Sequence, residues 1–279
     1  MHSITLVDVT TSHGATAVFE HASLTVGSAS RIGVVGPNGS GKTTLLRLLA
    51  GHMQPERGAV RRSPVGLSAG YLPQELDALP GETLLAYLAR RTGVAAAERE
   101  LDELEARLGE EPTLAGAHAD ALERFLVLGG DDLEARARGV CAGLGLGGRL
   151  RDPLETLSGG QGARARLAAL LLARFDVFCL DEPTNDLDFD GLERLERFVE
   201  DVRGSVVVVS HDRAFLDRTV TRIVELEEGT RRLREWPGGW SEYEAARERA
   251  RVSQYRRFEE AEARRRHAEA LLRERRGQA

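Results

Sequence analysis

The sequence predicts an α/β fold: a largely parallel sheet flanked by helices, with an antiparallel β subdomain, an α-helical subdomain and a long C-terminal helix. Three observations predict it. Arg31-Ile32-Gly33-Val34-Val35 is a short apolar strand run that passes through a glycine-rich loop, Gly36 to Thr44, into a helical stretch from Thr43 to Ala50. Asp176 to Leu180 and Ser205 to Val209 are unbroken, β-rich apolar runs bounded by polar residues, the pattern of strands covered on both faces. Such strands alternate with helical segments, which argues a parallel sheet.

The other elements follow in chain order. Residues 3–9 and 16–26 alternate apolar and polar and read as edge strands of an antiparallel sheet. Gly70-Tyr71-Leu72-Pro73 closes another short strand. Residues 82–145 read as mainly helical, most strongly from Glu98 to Leu108. From Ser241 to Ala279 the chain carries eleven arginines and eight glutamates with almost no turn residues, so it reads as a long, charge-laced, exposed helix. This tail is +3, against −9 for the rest of the chain. The expected division is 1–240 as one domain, with its helical subdomain over about 76–174, and 241–279 as a helical appendage.

Composition excludes several classes. A net charge of −6 does not suit a protein that wraps nucleic acid wholesale. Apolar runs such as Leu167 to Ala173 are far too short to span a bilayer, and no N-terminal stretch reads as a signal peptide. Cys141 and Cys179 form neither a metal spacing nor a disulfide framework, and Cys179 reads as a buried reduced thiol. A cytoplasmic location is the expectation. One bias is sharper: of 38 basic residues a single one, Lys42, is lysine. A position that stays Lys in an arginine-rich chain points to a need for a compact, mobile ammonium rather than a planar fork.

Lys42 lies in the strongest motif. Gly36-Pro37-Asn38-Gly39-Ser40-Gly41-Lys42-Thr43 fits G-x-x-x-x-G-K-[ST] between a strand and a helix, the context that motif requires. Its glycines let the backbone N–H groups of the 38–44 loop (Asn38, Gly39, Ser40, Gly41, Lys42, Thr43 and Thr44) converge on phosphate oxygens, and the helix N-terminus favours an anion. The Lys42 side chain reaches the β- and γ-phosphates, and the Thr43 hydroxyl is placed to ligate Mg²⁺. The strand Val177-Phe178-Cys179-Leu180 ends in Asp181-Glu182, where open α/β sheets bind ligands. Asp181 is expected to hold Mg²⁺, directly or through water, and Glu182 to act as general base on an attacking water. Ser205 to Val209 likewise ends in Ser210-His211, and His211 can donate to the γ-phosphate. Gln74, after Tyr71-Leu72-Pro73, can offer its amide to Mg²⁺ or the water. A second anion cradle stands apart: Leu157-Ser158-Gly159-Gly160-Gln161 opens the helical run from Ala163.

Together these motifs resemble the ATP-binding cassette (ABC) ATPases over nearly residues 1–230, which implies a P-loop NTPase core of the ABC type. In that family the loop at 36–44 is the Walker A motif, the strand to Asp181-Glu182 the Walker B motif, Leu157-Ser158-Gly159-Gly160-Gln161 the signature, Asn185-Asp186-Leu187-Asp188 the D-loop and His211 the switch histidine. The resemblance implies ATP and Mg²⁺ as ligands and ATP hydrolysis as the activity. It also implies that Ser158 and Gly160 bind the γ-phosphate held by a second cassette, so that one copy of each motif makes half of a machine. The adenine-stacking aromatic of the family falls here on His13, 29 residues before Lys42, with Phe19 as a substitute. A smaller ring implies looser base discrimination and acceptance of GTP.

Two branches of the family are compatible with the chain: the nucleotide-binding subunit of a transporter, and the soluble ABC-F proteins. Only 138 residues separate Lys42 from Asp181, too few for the branches with a long coiled coil between them. The stretches Asp181 to Asp188, Ser210 to Asp217 and Pro237 to Tyr243 resemble ABC-F. That implies a ribosome-bound protein, with a linker directed at tRNA, that serves translation or antibiotic resistance. The sequence then reads as a first cassette plus the start of that linker, without direct membrane insertion.

Overall fold

The computed structural model describes residues 2–13, 16–227 and 229–277. Two sheets form the β framework. The smaller is antiparallel, in the order β2 (Thr16–Gly27), β1 (Ser3–His13), β4 (Arg57–Ser63). Residues 3–9 were expected at an edge; β1 is instead the central strand, and β4 forms the second edge. The sequence Arg57 to Ser63 carries three arginines and stays half exposed, so it lacks the apolar alternation by which strands are read.

The larger sheet runs β5 (Ala69–Leu72), β6 (Val177–Asp181), β7 (Ser205–Val209), β3 (Arg31–Val35), β8 (Arg222–Leu226), β9 (Leu233–Pro237). All neighbours are parallel except β8 and β9. Alternation along its inner strands feeds two cores. Val177, Cys179, Val207 and Val209 point to the side of α1 (Lys42–Ala50) and the small sheet. Phe178, Leu180, Val206 and Val208 point to the helical side. With both faces covered, the strands read as continuous apolar runs.

Between β5 and β6 the chain forms α2 (Leu84–Arg91), α3 (Val94–Leu108), α4 (Ala115–Val127), α5 (Leu133–Gly143) and α6 (Gly159–Leu172). Helix α6 returns to the sheet and buries Ala165, Leu167, Ala168 and Ala169 in the second core. Helix α7 (Phe189–Asp201) follows β6, and α8 (Arg213–Thr219) follows β7. The tail is one helix, α9 (Trp240–Gly277). Its start is fastened to the body rather than free. Ser241 donates its N–H and hydroxyl to Asp217 at 2.7 and 2.8 Å, Tyr243 is buried between Trp236 and Trp240, and Arg247 pairs with Glu225 at 3.0 Å.

Candidate active site

The C-terminal ends of β3, β6 and β7 open onto one cleft of about 550 Å³. Its walls include Asn38, Gly39, Gly41, Lys42, Thr43 and Thr44 from the loop before α1, Gln74 after β5, Asp181 and Glu182 after β6, and His211 after β7. Residues scattered over 174 positions of sequence thus meet because parallel strands deliver their C-terminal ends to the same edge.

The loop before α1 is shaped for an anion. Gly41 is the N-cap at φ 100°, and no side chain caps the helix, so its first N–H groups face the cleft. A Cβ at Gly41 would collide with Val18 and Phe19, so only glycine fits. The Ser40 hydroxyl is buried without a hydrogen-bond partner. Lys42 Nζ donates to the carbonyls of Gly36 (2.9 Å) and Pro37 (3.0 Å), and burial lowers its pKa against the opposing pull of Glu182 and Asp181.

Asp181 and Glu182 are each 4% exposed. Asp181 Oδ2 accepts the Tyr71 hydroxyl at 3.1 Å. Burial, with the Asp181 charge nearby, pushes the Tyr71 phenol up to about 12. This partner is not legible from local sequence, because Tyr71 and Asp181 lie on adjacent strands 110 positions apart. Glu182 sits at φ 47° on a non-glycine residue, a strained conformation held by its N–H to Val209 O at 2.9 Å. Its Oε2 accepts the His211 N–H at 3.1 Å, and the exposed His211 ring nitrogen lies 3.3 Å from Oε1. Oε1 is otherwise buried without a hydrogen bond. Burial raises the Glu182 carboxyl, against the lowering pull of His211.

The side chain of His13, at the end of β1, lies outside the described residues together with residues 14 and 15. Phe19, its substitute, is 1% exposed beneath Gly41 and belongs to the core, so it offers no face to a base.

The 157–161 stretch is well formed but elsewhere. Ser158 caps α6 in a reciprocal box, its hydroxyl accepting from Gln161 N–H while Gln161 Oε1 accepts from Ser158 N–H at 3.0 Å. No residue of 157–161 lines the cleft. A Cβ at Gly159 or Gly160 would meet nothing within 4 Å, so nothing in the chain's own packing requires either glycine.

A family model described as ABC transporter matches residues 19–185. The chain belongs to the ABC transporter family. This cassette is 38% identical over 90% of its length to the tylosin resistance ATP-binding protein TlrC of Streptomyces fradiae, covering 47% of that protein. It is 36% identical over 76% of its length to the energy-dependent translational throttle protein EttA of Haemophilus influenzae, covering 39% of it. It is 31% identical over 93% of its length to the probable ATP-binding protein YheS of Escherichia coli K12, covering 40% of it. The ABC-F resemblance holds across these relatives, and the cassette spans about half their length or less. A solved ATP-binding subunit of an ABC transporter shares the fold, with a TM-score of 0.59 at 21% identity over 84% of this chain and 89% of that one.

Proposed function

We propose that this chain is an ATP-hydrolysing cassette of an ABC-F protein that acts on the ribosome and works only when paired with a second cassette. The observation that carries the pairing is the separation just described. The cleft has a phosphate loop, a general base and metal-binding oxygens but no signature residue, while the signature glycines face outward with nothing to pack against.

The donors fit a nucleoside triphosphate with Mg²⁺. Thr43, Asp181 and Gln74 offer hard oxygens at one cleft, and the buried Ser40 hydroxyl and Glu182 Oε1 make no hydrogen bond. Among the described residues no cluster of three or more His, Cys, Asp or Glu could hold a metal unaided, so phosphate oxygens and water would complete its shell. Bound Mg²⁺ would supply charge neutralisation on the β- and γ-phosphates. Lys42 and the N–H groups of 39–44 hold those phosphates. Glu182 takes a proton from water through Oε1, and His211, beside it on the same wall, orients the γ-phosphate. Ser158 and Gly160 cap the γ-phosphate held by the partner cassette.

The names of the relatives, one a tylosin resistance ATP-binding protein and one an energy-dependent translational throttle protein, support translation as the process served and the ribosome as the site of action. The +3 tail suits a helix that meets RNA phosphate. Among the described residues no helix is long and apolar enough to cross a membrane. The test is co-sedimentation of the chain with ribosomes in the presence of a non-hydrolysable ATP analogue. Analogue-dependent, salt-sensitive binding is the expected result. Absence of binding, with capture by a membrane transport subunit instead, would overturn the ribosomal reading.

A second prediction concerns the signature. Gly160→Asp is expected to leave ATP affinity in the chain's own cleft within about twofold, since the site is remote from it, and to abolish ATP-dependent pairing by setting a carboxylate against the partner's γ-phosphate. An acidic residue in the first turn of α6 favours the helix, so the melting temperature should hold. Intact pairing in this variant, read by sedimentation velocity, would count against the trans role.

A further inference from the structure

Arg166 is 5% exposed, inside a helix whose neighbouring residues Ala165, Leu167, Ala168 and Ala169 are core. Burying a guanidinium is costly, and apolar packing gives no reason to keep one there. It is held by main-chain carbonyls on two separate loops. Nη1 donates to the carbonyl of Gln74 and, at 3.4 Å, to that of Pro73, while Nη2 donates to the carbonyl of Asn185 at 3.1 Å. A planar fork reaches two acceptors in fixed directions, which an ammonium on a flexible stem does not.

Each end of this bracket is tied to a cleft residue. The backbone of Gln74 is pinned by Arg166 while its side chain lines the cleft. Asn185 is three residues past Glu182 and donates its N–H to the Glu182 carbonyl at 3.3 Å. Arg166 itself lies two turns beyond Ser158, about 12 Å along α6. Residues 185–188 do not line the cleft, so a nucleotide bound there has no direct contact with them.

We infer that Arg166 is a positioning residue that locks the signature helix, the Gln74 loop and the loop after Glu182 into one unit, so that nucleotide at the cleft is transmitted to the signature helix and to the 185–188 loop. This rests on the nucleotide-binding reading above.

The test is backbone hydrogen exchange of the wild-type chain and of Arg166→Met, each with and without Mg-ATP. In the wild type, Mg-ATP should slow exchange both at 39–44 and at 185–188. In Arg166→Met protection at 39–44 should persist, while ATP-dependent protection at 185–188 should fall by about tenfold or more. Arg166→Lys keeps the charge but reaches one loop at a time, and it should lose the same protection. Should Arg166→Met unfold, the lysine variant decides the matter. Wild-type-like protection of 185–188 in Arg166→Lys, or in a folded Arg166→Met, would overturn the inference. A wild-type chain protected at 39–44 but not at 185–188 would overturn it as well. Absence of any protection at 39–44 in the wild type would overturn the nucleotide-binding reading instead.

Discussion

Glu182→Gln is expected to lower the rate of ATP hydrolysis by about 10²–10⁴-fold while leaving ATP binding intact, the range for loss of a positioned general base. The geometry explains why the two effects separate. Glu182 Oε2 already accepts the His211 N–H, and a glutamine oxygen can keep that bond, so the strained turn at 182 survives the change. What is lost is the basic Oε1, which is buried and lacks a hydrogen bond in the cleft. Phosphate is held by the other wall, Gly39 to Thr44, which the substitution does not touch. The variant should therefore accumulate in its nucleotide-bound, paired state. Sedimentation velocity with and without Mg-ATP reads this directly. An ATP-dependent dimer means that identical chains complete each other's sites. A monomer with ATP bound means that the signature is matched to a different cassette. Normal turnover would remove Glu182 from the role of base.

Lys42→Ala is expected to weaken ATP binding by about 10–100-fold, the equivalent of one charge-assisted hydrogen bond. The ammonium bonds to the carbonyls of Gly36 and Pro37. Gly36 is half-buried and Pro37 exposed, so those carbonyls can turn to water and folding stability should change little. Lys42→Arg should not restore affinity. A guanidinium is wider than an ammonium and would have to enter beneath a loop whose turn at Gly41 already excludes a methyl group. Isothermal titration with Mg-ATP measures both variants, and unchanged affinity in Lys42→Ala would refute the assignment.

How much of this was legible in the sequence depends on the range of the interaction involved. The loop before α1 and the glycine-rich helix start at Ser158 are made by residues within a few positions of one another, and each appears in the structure at the start of its helix. The buried strands were legible because coverage on both faces leaves an unbroken apolar run, as in β6 and β7. Strand β4 was not, because its arginines and half-exposed pattern resemble a loop. Nor did the sequence show that Phe19 is core, since a strand aromatic at a β-hairpin can face either side.

The sequence by itself determined the chemical inventory: a phosphate loop with its single lysine, two carboxylates at a strand end, a histidine at the next, and a second anion cradle on a helix. Those follow from short-range backbone geometry, which a few adjacent residues fix. Only the tertiary structure decided which of these groups share a cleft, that the cradle at Ser158 is not among them, and that Tyr71 and Arg166 hold the site from behind. Such contacts join residues 19 to 110 positions apart, and they arise from strand order and helix docking, properties of the whole chain rather than of any segment.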